Sequence, residues 1–134
     1  MNSHILVIED EVSLSQALCD NLEMCGYSVE AAYDGEEALK KIHSRTPALV
    51  ITDLLIPKID GFEVIAELKK TIGCEDVPVI VLSNLDGHEA MRKVFDLGAS
   101  QYLIKSEHSI QEIMSIVGKC YPRAFVAEVD LTTI

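Results

Sequence analysis

Five side chains in this chain could do chemistry together: Glu9, Asp10, Asp53, Ser83 and Lys105. Each stands at or just after the end of a short apolar run. Three carboxylates brought close together repel one another, and a divalent cation held through oxygen relieves that repulsion. Magnesium is favoured where water and phosphate complete an octahedron. Asp10 and Asp53 are the expected direct ligands, with Glu9 acting through a water or orienting one. Lys105 is a point charge able to pair with Asp53 and later with a phosphoryl oxygen. Ser83 offers a hydroxyl donor to the same oxygen. Such a set suits phosphoryl transfer, in which positioning and charge neutralisation supply most of the catalysis and a carboxylate can be the nucleophile. Asp53 is the expected nucleophile. Taken singly, each residue has an ordinary structural role as a turn, a helix cap or a solvated charge; five at four strand ends do not.

These residues need a scaffold that brings distant strand ends together. Apolar runs occur at Ile5–Ile8, Ser28–Ala32, Ala48–Thr52, Pro78–Leu82 and Gln101–Ile104, separated by longer segments of helical period. Strands alternating with helices predict an α/β domain on a parallel sheet. The first, third and fourth runs are continuously apolar, as strands buried on both faces should be. From Val12 to Cys25, residues Leu14, Ala17, Leu18, Leu22 and Cys25 share one helix face, and Gly26 ends it. Asp34, Asp60 and Asp86 each precede a glutamate by three residues and are expected N-caps. The last helix, about Ser109 to Lys119, turns Ile110, Ile113, Met114 and Val117 inward. In an open α/β sheet a ligand sits at the carboxyl ends of the strands, where the five residues stand.

With 134 residues the chain holds one compact core. A formal charge of −11 repels phosphate backbones and anionic lipid, which argues against direct nucleic-acid or membrane binding. The first residues lack a basic leader, and no stretch of about 18 apolar residues occurs, so a cytoplasmic location is expected. Cys19, Cys25, Cys74 and Cys120 form no CxxC pair and no zinc spacing, and His4, His43, His88 and His108 are scattered. Reduced thiols are expected. Residues 121–134, YPRAFVAEVDLTTI, are too short for a second domain and too apolar for an ordinary tail; they read as a tail or linker stub after a domain at 1–120.

Four segments together resemble the receiver domain of two-component response regulators, over about residues 4 to 120: ILVIEDE, VITDLLIPKIDG, VIVLSN and GASQYLIK. The resemblance implies a flavodoxin-like (βα)5 fold, a five-stranded parallel sheet of order 2-1-3-4-5 with helices on both faces. It implies that Asp53 takes a phosphoryl group from a phosphohistidine on a histidine kinase or a His-containing phosphotransfer protein. Mg2+ would be bound by Glu9, Asp10, Asp53 and the backbone carbonyl of Leu55. Ser83 and Tyr102 would shift together, switching the surface of the fourth helix, fifth strand and fifth helix toward a downstream partner or effector domain. Leu55 and Leu85 would flank the path of the water that removes the phosphoryl group. Such a module is a switch and not an enzyme with a separate substrate. Two alternatives stand beside it: a receiver fragment of a longer regulator, and a flavodoxin-like cofactor protein. The second lacks a Gly-rich phosphate loop, since Glu9-Asp10-Glu11 occupies that place.

The chain departs from the family in three places. Lys105 is followed by Ser106 where the family usually has proline after a cis bond; a non-prolyl cis bond costs ~2.5–4 kcal/mol, so a trans bond and a shifted lysine approach are expected. Asn84 follows the switch serine where a smaller residue is usual, and is expected to narrow access to Asp53. The fifth helix has Lys119 as its only basic residue, which favours a monomer or a differently built phosphorylation-dependent dimer over a charge-paired one.

Overall fold

The computed structural model describes residues 3–85 and 87–122. The elements run β1 (Ile5–Ile8), α1 (Val12–Met24), β2 (Val29–Ala32), α2 (Gly35–Ser44), β3 (Leu49–Thr52), α3 (Gly61–Lys70), β4 (Val79–Ser83), α4 (His88–Asp96), β5 (Gln101–Ile104), a 3₁₀ turn (Lys105–Glu107) and α5 (Ile110–Cys120). The strands form one parallel sheet in the order β2-β1-β3-β4-β5, as expected from the resemblance.

Alternation along each strand sorts the core into two layers. Leu6, Ile8, Ala32, Val50, Val79 and Val81 pack with residues of α2, α3 and α4, including Ala38, Ile42, Val64, Leu68 and Val94. Ile5, Val7, Leu49, Ile51, Ile80, Leu82 and Leu103 pack on the other face with α1 and α5, through Leu18, Leu22, Ile113 and Val117. Every residue of β1, β3 and β4 is buried, which is why those runs have no polar face. Burying each such branched side chain contributes roughly 1.5–3 kcal/mol, so a one-residue slip that turned β3 over would be strongly opposed.

Two of the three expected aspartate caps are in place. Asp34 accepts from the Glu37 amide at 2.7 Å and Asp60 from the Glu63 amide at 2.9 Å. The third expectation, Asp86, lies outside the described residues, and the N-cap position of α4 belongs to Gly87, which has no side chain to cap with. Ser109 and Glu112 form a reciprocal capping box that starts α5. Cys25 does not join the buried face of α1. The helix ends at Met24, and Gly26, at φ 95°, turns the chain so that Cys25 is exposed. All four cysteines are free thiols. At the start of the C-terminal segment Tyr121 is half-buried; the Tyr27 hydroxyl donates to its carbonyl at 2.7 Å and the two rings lie 5.5 Å apart. The rest of that segment, from residue 123, lies outside the described residues.

No helix among the described residues is long and apolar enough to cross a membrane.

Candidate functional site

The register of the sheet places the chemistry. Ile8 pairs with Thr52, Thr52 with Val81, and Ser83 with Ile104, so the carboxyl ends of β1, β3, β4 and β5 form one rim. After β1 the chain crosses to β2 on one side, and after β3 it crosses to β4 on the other. That reversal opens a crevice between the β1 and β3 loops. Glu9 and Asp10 leave β1 there, and Asp53 leaves β3 beside them.

Glu9, Asp10 and Asp53 each offer an oxygen within 4.8 Å of the others, a group that could hold a metal ion. The donor set is all oxygen, which suits a hard divalent cation. Burial divides the three: Glu9 is 2% exposed, Asp53 is 6% exposed, and Asp10 faces solvent. Lys105, from the start of the 3₁₀ turn, closes the crevice. Its Nζ lies 2.6 Å from Asp53 Oδ2 and 2.8 Å from Glu9 Oε1. Burial draws the Lys105 ammonium toward its neutral form, but the hydrogen bonds and charges of Asp53 and Glu9 outweigh it and hold the group above the ordinary lysine value. Burial pushes the Glu9 carboxyl up, with Lys105 and the Glu11 amide holding it partly back and the Asp53 charge adding to the rise.

Backbone amides complete the seating. The Leu55 amide donates to Asp53 Oδ1 at 3.1 Å, and the Glu11 amide to Glu9 Oε2 at 3.0 Å. Beneath Asp53, the buried Thr52 hydroxyl donates to the Asp53 carbonyl at 2.8 Å. Gly61 is required here by close approach: a Cβ at that position would lie 2.3 Å from the Asp53 carbonyl oxygen. The start of α3 therefore packs directly on the segment that carries Asp53.

Ser83 is fully buried at the end of β4, and its Oγ accepts from the Leu85 amide at 3.3 Å. Tyr102 is half-buried against the α2–α3–α4 layer and its hydroxyl donates to the Leu85 carbonyl. Leu85 is half-buried in the same layer, whereas Leu55 is 60% exposed beside the crevice.

Two residues have partners beyond those expected. Glu9 has one oxygen on Lys105 and the other on the Glu11 amide, because full burial demands a partner for each. Asn84 is exposed, and its Oδ1 accepts from the Ser106 amide at 3.1 Å. No peptide bond among the described residues is cis, so the Lys105–Ser106 bond is trans as expected. The Asn84–Ser106 contact, the Thr52 support and the Gly61 packing were not foreseen from sequence. Only Gly61 carried a signal, as a glycine directly after a capping aspartate.

Comparison with known proteins agrees with this geometry. The chain is 35% identical over 115 residues to a gliding motility regulatory protein of Myxococcus xanthus, covering 86% of this chain and 15% of that protein. It is 42% identical over 107 residues to the alkaline phosphatase synthesis transcriptional regulatory protein PhoP of Bacillus subtilis, covering 78% and 43%. The chain thus spans less than half the length of these relatives. The chemotaxis protein CheY4 of Vibrio cholerae shares its fold, with a TM-score of 0.83 at 24% identity over 90% of this chain and 99% of that one. The response regulator receiver domain model matches residues 5–117, and with the acidic crevice at the sheet's switch point this places the chain in the response regulator receiver family.

Proposed function

We propose that Asp53 is the phosphoacceptor of this receiver. The observation that carries the reading is the seating of its carboxylate: nearly buried, one oxygen on the Leu55 amide, the other on Lys105, beside two further acids. A carboxylate oxygen of Asp53 attacks the phosphorus of a phosphohistidine on a histidine kinase or phosphotransfer protein. The P–N bond breaks, its electron pair stays on the imidazole nitrogen, which takes a proton, and an acyl phosphate forms on Asp53. Glu9, Asp10, Asp53 and the Leu55 carbonyl are the groups proposed to hold Mg2+, which supplies positive charge against the phosphoryl oxygens. Lys105 then exchanges its contact with Asp53 Oδ2 for a phosphoryl oxygen, and the Ser83 hydroxyl donates to another.

Phosphorylation adds about −1.5 to −2 charges at the rim. As Ser83 is drawn toward them its contact with the Leu85 amide is given up, and Tyr102, bonded to the Leu85 carbonyl, shifts with that loop. The surface of α4, β5 and α5 is the two-state element we assign to partner binding. Receiver domains are not classed as enzymes; the chemistry assigned to this one is its own phosphorylation and dephosphorylation. We assign residues 1–120 to the receiver and 121–134 to a tail or linker, place the domain in the cytoplasm, and assign its output to a protein partner or effector domain rather than to direct contact with nucleic acid. With Lys119 as the only basic residue of α5, the active form is a monomer or a dimer not paired through that helix's charges.

Intact-mass measurement after incubation with magnesium and acetyl phosphate tests the assignment. One phosphoryl increment on wild type and none on Asp53→Ala is the expected result; an increment retained on the variant moves the acceptor elsewhere.

A further inference from the structure

The loop leaving β4 is fastened at two points to β5 and the turn beyond it. The Tyr102 hydroxyl donates to the Leu85 carbonyl, and the Ser106 amide donates to Asn84 Oδ1 at 3.1 Å. Ser106 directly follows Lys105, and both belong to the 3₁₀ turn at 105–107. The leading amides of such a turn have no acceptor within it, so an outside acceptor fixes the turn's orientation. Asn84 supplies that acceptor from the residue next to Ser83. A proline at position 106 would offer no N–H, so the contact depends on a residue other than proline standing there.

What the turn's orientation controls is the reach of Lys105. Its ammonium sits at the end of a flexible four-carbon stem, and its distances of 2.6 Å to Asp53 and 2.8 Å to Glu9 follow from where its backbone is anchored. We propose that Asn84 is a positioning residue for phosphoryl transfer: through the Ser106 amide it sets the turn from which Lys105 reaches the phosphorylation site, coupling the lysine to the Ser83 loop. This rests on the assignment of Asp53 as acceptor and Lys105 as its cationic partner.

The test combines one physical and one kinetic readout on the full chain. Asn84→Ala should speed hydrogen exchange of the Ser106 amide, whereas Asn84→Asp, which keeps an acceptor oxygen, should preserve its protection. With acetyl phosphate and magnesium, Asn84→Ala should slow phosphorylation of Asp53 by about three- to tenfold, the range set by one neutral hydrogen bond. Magnesium affinity, read from the shift in melting temperature, should change less than twofold. In a Lys105→Ala background the same substitution should have no further effect on the rate, because Asn84 acts through the lysine. An unchanged rate overturns the proposal, as does an equal loss in the Lys105→Ala background. A faster rate also overturns it and makes Asn84 a screen over the site. Unchanged Ser106 exchange in Asn84→Ala removes the contact on which the proposal stands. If wild type takes up no phosphoryl group while Ser106 responds as expected, the assignment of Asp53 has failed and the positioning role falls with it.

Discussion

Replacing Asp53 with asparagine is expected to leave the metal-free protein as stable as wild type or more so, and to reverse that order when magnesium is added. The Asp53 carboxylate is attracted to Lys105 Nζ at 2.6 Å and repelled by Glu9 and Asp10, whose oxygens lie within 4.8 Å. At an effective dielectric constant of about 20 the attraction is about 6 kcal/mol, and each repulsion is at least about 3.5 kcal/mol. The terms cancel to within about 1 kcal/mol, which leaves the cost of holding a charged group at 6% exposure. An amide is far cheaper to bury, and its oxygen can still accept from Lys105 or Leu55. The expected gain is therefore about 1 kcal/mol, and it should shrink at high salt, which screens the exposed Asp10. Urea unfolding at pH 7 with a chelator measures it. In magnesium the wild type gains about 1.4 kcal/mol at a tenfold excess over its dissociation constant, and the variant, with one carboxylate fewer, gains less. A variant more than about 1 kcal/mol less stable than wild type without magnesium would show that the lysine pair dominates the site and refute the balance drawn here.

Phospho-Asp53 should hydrolyse slowly for a receiver, because neither Leu55 nor Leu85 can orient a water; Leu55→Asn and Leu85→Glu, singly or together, should raise phosphate loss by about tenfold, short of the ~10²–10⁴ of a full general base, and no acceleration in any variant would remove the leucines from that role. Gly61→Ala should destabilise the fold by roughly 1–3 kcal/mol and slow phosphorylation together, since the new methyl displaces the Asp53 backbone; thermal unfolding and intact mass read the two effects. His4 is 1% exposed, and burial holds its imidazole below the ordinary histidine value, with Arg45 adding to the effect and Glu30, 3.3 Å away, opposing it. The unfolded chain then binds the proton first, so stability should fall as pH drops below about 6.5, by at most ~1.36 kcal/mol per unit. His4→Gln should flatten that slope in urea titrations between pH 7 and 5, and an unaltered slope assigns the loss to another group.

The difference between what the sequence foretold and what it did not follows from how each residue gets its position. Asp53 was legible because β3 is buried at every residue and apolar up to Thr52, so its register against β1 and β4 is pinned by packing. A residue one step past such a strand inherits its place from the hydrophobic pattern, and the same holds for Glu9 after β1; Lys105 follows the edge strand β5, where only Leu103 is buried and pairing with β4 sets the register. Loop residues have no such register. Asn84 and Ser106 are 22 positions apart in two different loops, and their meeting is decided by the path each loop takes once Ser83 is bonded to Leu85 and Lys105 has entered its 3₁₀ turn. Composition alone could say only that Asn84 is larger than the residue usual at its place, and from size the natural inference was obstruction. Glu9 shows the same limit at shorter range: its position was foreseen, but the partners of its two oxygens follow from its burial, which forces every acceptor to find a donor. Strand ends thus deliver the reacting groups to the rim, while the loops decide how tightly each is held there. For that reason substitutions at Asn84 or Leu85 should tune the rate and lifetime of the switch, whereas substitution of Asp53 removes its chemistry.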